Sequence, residues 1–249
     1  MRIRLIILWL SILIGTTLHA QKDQFEQALT AFNQGQYQES INLLEDISTG
    51  EDHSVELYYN LGLSHLKLNN LSEGIANLHR ALALSPNHAD ARSALNIAKG
   101  KISTPITEIP DFIIYQSYTD IVQSLSINSW VVIQIIGLLG LILLIYWLLF
   151  RTSSKRPILY VAIVVMVLLS IWSYTNASYL REMAINPNLA VIGQEQTDIF
   201  IGADNRSEII AVVGEGVTAR IIDEIADWIK IELADKDLGW VQKNKVIII

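Results

Sequence analysis

Hydrophobic and polar positions follow three rhythms along this chain. Between Gln24 and Lys101 apolar residues recur three and four apart, the spacing that gathers them on one face of a helix. Three blocks, Leu5 to Gly15, Trp130 to Phe150 and Ile158 to Trp172, are apolar on every side. From Leu189 onward the period shortens to two, in short runs "LAVIG", "TDIFIGA", "EIIAVV", "VTARII", "DWIKIEL", "GWVQ" and "KVIII". The expected order is therefore helical domain, apolar helices, and a small all-β barrel of seven strands.

The block "WVVIQIIGLLGLILLIYWLLF" holds Gln134 as its one strongly polar residue, and as a helix it reaches about 31 Å, enough to cross a bilayer. The next block carries no charge from Ile158 to Leu180, with Tyr160 near one end and Trp172, Tyr174 and Tyr179 near the other, where aromatic rings favour the headgroup zone. A two-helix transmembrane hairpin follows, with crossings at 129–150 and 158–177 and a linker at 178–188. A buried core hairpin would need a larger surrounding domain than this chain has. Gly137 and Gly140, three apart, read as ordinary membrane-helix glycines.

Arg151, Lys155 and Arg156 crowd the loop 151–157, and short loops rich in Lys and Arg stay in the cytoplasm. The N-terminus agrees: Arg2 and Arg4, an apolar run, then a polar stretch ending at Ala20 read as a secretory signal peptide over residues 1–20. An uncleaved short anchor is the other reading. Either way the helical domain and the barrel are exported.

Residues 55–88, "VELYYNLGLSHLKLNNLSEGIANLHRALALSPNH", form two helical patterns joined by "LNN". Tyr58, Leu61 and Gly62 in the first, Gly74, Leu78 and Ala81 in the second, and Pro86 at the close make this segment resemble a tetratricopeptide repeat. A register shift of one repeat places Ala28 under Gly62, Tyr37 under Leu71, Ser40 under Gly74 and Leu44 under Leu78. Residues 21–101 are thus expected to hold two repeats and a capping helix, a short solenoid that needs support from a partner or from the membrane-proximal segment.

By the register of such repeats, Phe25, Leu29, Phe32, Tyr59, Leu63 and Leu66 line a groove for a peptide or helix; the other reading packs them against the capping or membrane-proximal helix. Of the carboxylate-clamp positions known in some tetratricopeptide proteins only Asn60 fits, with Phe25, Leu29, Asp90 and Ala94 at the others, which disfavours a reader of chaperone tails. His53, His65, His79 and His88 show no metal-ligand spacing. His65 reads as a stand-in for a first-helix aromatic, and His79 and His88 as surface. Residues 102–128 read as linker plus amphipathic helix, with Phe112, Tyr115, Ile121, Val122 and Leu125 along one side, lying in the membrane interface or meeting a partner.

In the barrel, Trp228 opening a strand, then "GWV" with Gly239 and Trp240, then a closing strand, resemble a bacterial SH3 domain over residues 189–249. The proline common in the first loop of such domains is absent from "QEQTDIFIGADNRS". Ile229, Ile231 and Leu233 share the core face, while Trp228, Lys230 and Glu232 point outward. Outward tryptophans at 228 and 240 fit stacking on a peptide or glycan, or simply cover the barrel rim.

Composition narrows the function classes. With 25 acidic against 18 basic residues and a formal charge of −7, nucleic acid is an unsuited partner. The absence of cysteine removes disulfides, thiol catalysis and thiolate metal sites. No nucleophile elbow, phosphate loop or zinc-protease motif occurs, so neither an enzyme nor a cofactor is expected. The overall order resembles the BatE family of the Bat aerotolerance operon. That resemblance implies a Gram-negative inner-membrane protein acting beside von Willebrand A-domain membrane proteins, another tetratricopeptide protein and an AAA-type ATPase. Two functions are in view: a scaffold for protein partners, or a cell-wall tether whose barrel binds peptidoglycan.

Overall fold

The computed structural model describes residues 22–50, 53–104, 106, 113–150, 156–185 and 188–249. The expected signal peptide, Phe112, Arg151 and Lys155 lie outside the described residues, as do the side chains of Tyr115 and Arg156. Two compact units form, one from the helical domain and the barrel, the other from the apolar helices and the helix that precedes them.

In the first unit α1 (residues 22–33), α2 (Tyr37–Ser48), α3 (Val55–Lys67) and α4 (Leu71–Leu84) make two antiparallel pairs, and α5 (Ala89–Lys99) follows. Local chemistry starts them: the Ser54 hydroxyl accepts from Leu57 N at 3.2 Å, and His88 Nδ1 accepts from Ala91 N at 3.1 Å, each satisfying an orphan first-turn donor. Tight pairing of α3 on α4 depends on two glycines. A Cβ on Gly62 would stand 3.0 Å from Leu78 Cγ, and one on Gly74 only 2.6 Å from Leu66 Cγ. Ala28, Ile41, Leu44, Ile47, Leu57 and Leu61 form the core of the first pair, joined by α3. Ile75, Ala76, Leu78, Ala81, Ala91, Leu95 and Ala98 form that of α4 and α5.

The barrel contains the seven expected strands: β1 (Leu189–Ile192), β2 (Thr197–Phe200), β3 (Ile209–Val213), β4 (Thr218–Ile225), β5 (Trp228–Glu232), β6 (Leu238–Gln242) and β7 (Val246–Ile248). They pair antiparallel in the order β3-β2-β6-β5-β4-β1-β7. Ile192, Ile199, Val213, Ile229, Ile231 and Val241 fill the interior, with Ile102 and Ile106 from the segment after α5 packed against them.

Support for the short solenoid comes from this barrel. Val191 of β1 is fully buried in the α4–α5 cluster, with Ile247 and Ile249 packed beside it. Arg80 Nη2 donates to the Ile248 carbonyl at 3.0 Å. Glu215, in the Gly214–Gly216 turn, accepts from both the backbone N–H and the hydroxyl of Ser72 at 3.0 Å. A carboxylate from the barrel therefore caps the N-terminus of α4, where the helix dipole favours negative charge. Gly216 makes the approach possible: its φ is +84°, and a Cβ there would meet Ile75 Cδ1 at 2.9 Å. His79 corrects a sequence expectation, since it lies at this junction, half-buried, with Nε2 3.3 Å from Thr218 Oγ1.

The second unit contains α6 (Ile113–Gln123), α7 (Ile127–Phe150) and α8 (Arg156–Ile185). Two spans, Ile127–Phe150 and Pro157–Met183, are long and apolar enough to cross a membrane, with mean hydropathy of 2.6 and 2.2. The helix α8 continues to Ile185, through most of the stretch expected as a linker. Gly137 and Gly140 are not incidental: a Cβ on the first would stand 3.1 Å from Ser170 Oγ and on the second 2.6 Å from Met166 Cε, so both face α8. At one end of the pair, Val122, Trp130, Ala177 and Leu180 form a small core. Val122 is buried but Ile121 is 56% exposed, so these neighbours do not share the one apolar side that the sequence suggested.

Candidate functional site

The six groove candidates are all half-buried, and four of them pack within the helical domain. Phe25 joins the first-pair core, and Phe32 meets Tyr37 edge-on at 5.3 Å. Tyr59 packs on the α4–α5 cluster and lies 5.3 Å from the His88 ring, while Leu66 presses against the Gly74 position. Leu29 and Leu63, the other two, occupy equivalent positions one repeat apart on α1 and α3. Of the remaining repeat positions, Leu61, Gly62, Gly74, Ala81 and Pro86 are buried. Tyr58 is half-buried, its hydroxyl 2.8 Å from His53 Nδ1.

His65 is buried and stands 3.9 Å from the Glu45 carboxylate. Burial lowers its pKa, against the opposing pull of Glu73 and Glu45. Among the described residues no three His, Asp or Glu side chains group as a metal site.

The barrel presents a more coherent surface. Alternation along β5 buries Ile229 and Ile231 completely and turns Trp228, Lys230 and Glu232 to the other face. On β6, Trp240 pairs with Lys230 on one side and with Phe200 of β2 on the other. Ile199 and Phe200 alternate faces as neighbours on a strand do, and the extra residue of the adjoining β-bulge is Ile210 on β3. The Phe200 and Trp228 rings meet edge-on, 5.5 Å apart at 88°. Lys230 Nζ lies 6.0 Å from the centre of the Trp240 ring, within cation–π range. Both tryptophans are half-buried, so they cover the barrel and still offer aromatic surface.

Charge around this face is mostly internally matched. Arg220 pairs with Glu232 and Lys243 with Glu224. Gln242 donates to Asn205 Oδ1 at 2.8 Å, holding the β2–β3 loop beside the tryptophans. Such a surface suits an extended ligand that stacks on rings; its residues form no nucleophile–base pair.

Residues 55–88 match the tetratricopeptide repeat family, and residues 194–246 match the bacterial SH3 domain family. The chain thus joins a tetratricopeptide repeat to an SH3-like barrel. No curated protein and no solved structure matches it. Sequence reasoning found Trp228 and Trp240 of the SH3-like face but missed Phe200, whose partner Trp228 lies 28 positions away. It also missed Glu215, Ser72 and Arg80. The Gly-Glu-Gly turn was the one available signal for that junction, and nothing in it named α4 as the partner.

Proposed function

We propose that this protein is a non-enzymatic scaffold of the inner membrane, with its tetratricopeptide and SH3-like domains in the periplasm, acting within a Bat-type aerotolerance or stress complex. Its partners are other Bat-type membrane proteins with von Willebrand A or tetratricopeptide domains. The observation that carries the reading is the shared junction: Val191, Arg80 and Glu215 unite two interaction-type domains in one body, borne on a pair of apolar helices. Such tethering raises the effective concentration of whatever the two domains bind together. The order of domains, as in the BatE family, supports the choice of partners, and the clustered Arg151, Lys155 and Arg156 support the orientation.

Photo-crosslinking in intact membranes from Trp240 and Leu63, with mass spectrometry of the products, tests this. Capture of a von Willebrand A or tetratricopeptide membrane protein is expected. Recovery of no such protein from either position would remove the Bat-type assignment.

The aromatic face favours a second reading, a tether to peptidoglycan. In that case the full-length protein sediments with purified sacculi, and Trp228→Ala or Trp240→Ala weakens the binding about tenfold, the loss expected for one stacking ring of roughly 1–1.5 kcal/mol. Absence of sedimentation by the unaltered protein excludes the tether.

A further inference from the structure

Gln134 is the one strongly polar side chain between Trp130 and Phe150, and nothing in the helix pair satisfies it. It is the eighth of the 24 residues of α7, so at 1.5 Å per residue it lies about 10 Å along a helix of about 36 Å, inside the roughly 30 Å hydrocarbon core that such a helix spans. Hydrocarbon offers an amide no hydrogen bond, so its partners have to come from protein. Gln134 is half-buried, yet among the described residues its amide has no partner. Ser170 Oγ of α8, beside Gly137, is likewise unpartnered and is buried inside the pair. One hydroxyl meets one group of an amide that carries two N–H donors and a carbonyl, so the rest of Gln134 stays unmet within a single chain.

The place of Gln134 on the helix says which face is involved. Gly137 and Gly140 turn toward α8. Val131, Gln134, Leu138, Leu141, Ile145 and Leu148 recur alternately three and four apart, the seven-residue repeat with which parallel helices interlock. Val131, Leu138 and Ile145 of this stripe are 40%, 44% and 41% exposed, so α8 leaves it open. Other stripes of α7 are as apolar, and the amide singles this one out. We propose that it is the docking face for a second copy of this chain, joined α7 to α7 in parallel about a two-fold axis, with the two Gln134 amides bonded to each other. Two features select a second copy. An amide is its own complement, since each carbonyl accepts from the other's N–H across the axis. A second copy inserted the same way also brings its amide to the same depth, whereas any other helix has to hold a polar group there independently. No charge lies between Trp130 and Phe150 to oppose the approach, and the contact closes at two copies. The pairing rests on the reading of α7 as a helix that spans a bilayer.

The native chain has no cysteine, so introduced thiols report without background. Full-length single-cysteine chains are oxidised mildly in the membranes in which they are made. Disulfide-linked dimers are expected several-fold more abundant from Leu138→Cys and Ile145→Cys than from Ile136→Cys and Leu143→Cys, which sit at similar depths on the far side of α7. Adding Gln134→Leu to Leu138→Cys is expected to lower the yield several-fold. Equal yields on the two faces, or a yield that Gln134→Leu leaves unchanged, would overturn the proposal. Light scattering in mild detergent gives a second measurement: the unaltered protein is expected as two copies and Gln134→Leu, with the same far-ultraviolet spectrum, as one. An unaltered chain that stays single refutes a second copy as the occupant, as does a Leu138→Cys chain linked only to another protein. Carbonate extraction of the same membranes checks the spanning reading by itself. Protein kept in the pellet with no dimer refutes the pairing alone; protein released refutes the spanning helix and the pairing with it.

Discussion

His79 is the residue at which environment most changes chemistry. Burial is the larger cause and the Lys99 charge the smaller, and together they lower its pKa from 6.5 to about 4. The Thr218 hydroxyl can bond either form, so it is burial and the Lys99 charge that favour the neutral imidazole. Between those two pH values the unfolded chain binds the proton and the folded one does not, so stability present above pH 6.5 is lost as pH falls toward 4. At roughly 1.4 kcal/mol per unit the loss is on the order of 3 kcal/mol. His65, lowered by burial as well, acts in the same direction. A His79→Gln variant, which keeps a polar group for Thr218, is expected to lose less thermal midpoint than the native protein between pH 6.5 and 4. Parallel losses would remove His79 from this account. Nothing near His79 in the sequence announces the role, because its hydrogen-bond partner lies 139 positions away. Trp228 was legible for the opposite reason: its outward direction follows from its immediate neighbours Ile229 and Ile231.

At the scale of elements, the helices differ in how openly their sequences declare them. The apolar helices α7 and α8 are plain because length and uniform hydropathy suffice. The packing of α6 depends on polar groups that periodicity does not weigh. The Trp130 indole donates to the Val122 carbonyl at 3.1 Å, and the Ser173 hydroxyl donates to the Trp130 carbonyl at 2.8 Å. Tyr118 donates to Asn176 Oδ1 at 2.7 Å, and Asn176 Nδ2 donates to the Trp172 carbonyl at 2.9 Å. Asn176 is wholly buried, so it needs both partners. Replacing it with leucine removes both bonds at a cost of about 1–3 kcal/mol. The expected result is faster chymotryptic cleavage at Tyr118 in Asn176→Leu, with the helical content of α7 and α8 unchanged. An unchanged cleavage rate means that apolar packing around Val122 alone holds α6. The tetratricopeptide helices fall between these cases. Their glycines were readable as contact points, whereas the packing of Tyr59 and Leu66 depends on residues of other helices that their own periodicity does not name.

At the scale of the whole molecule, the junction between the repeats and the barrel bears on topology without any reference to charge. Residues before the two apolar helices touch residues after them, as Ser72 and Glu215 do, so both ends of that helix pair belong on one side of any bilayer it spans. The proposed orientation assigns the basic loop to the cytoplasmic side. A Ser153→Cys variant is expected to react with an impermeant thiol reagent only from the cytoplasmic face; labelling from the periplasm would invert the orientation and place both domains in the cytoplasm. The same pair of residues also sets an order of events during synthesis. Ser72 and Glu215 are 143 positions apart, and both apolar helices lie between them. The repeats leave the ribosome first but have to wait with the start of α4 uncapped and Ile75 uncovered until the apolar helices and the barrel have been made. Contacts of such long sequence separation form late, and the waiting intermediate exposes apolar surface. In the interval the repeat domain is a natural client for a holding chaperone, and the last step of its folding is timed by the synthesis of the barrel 143 positions downstream.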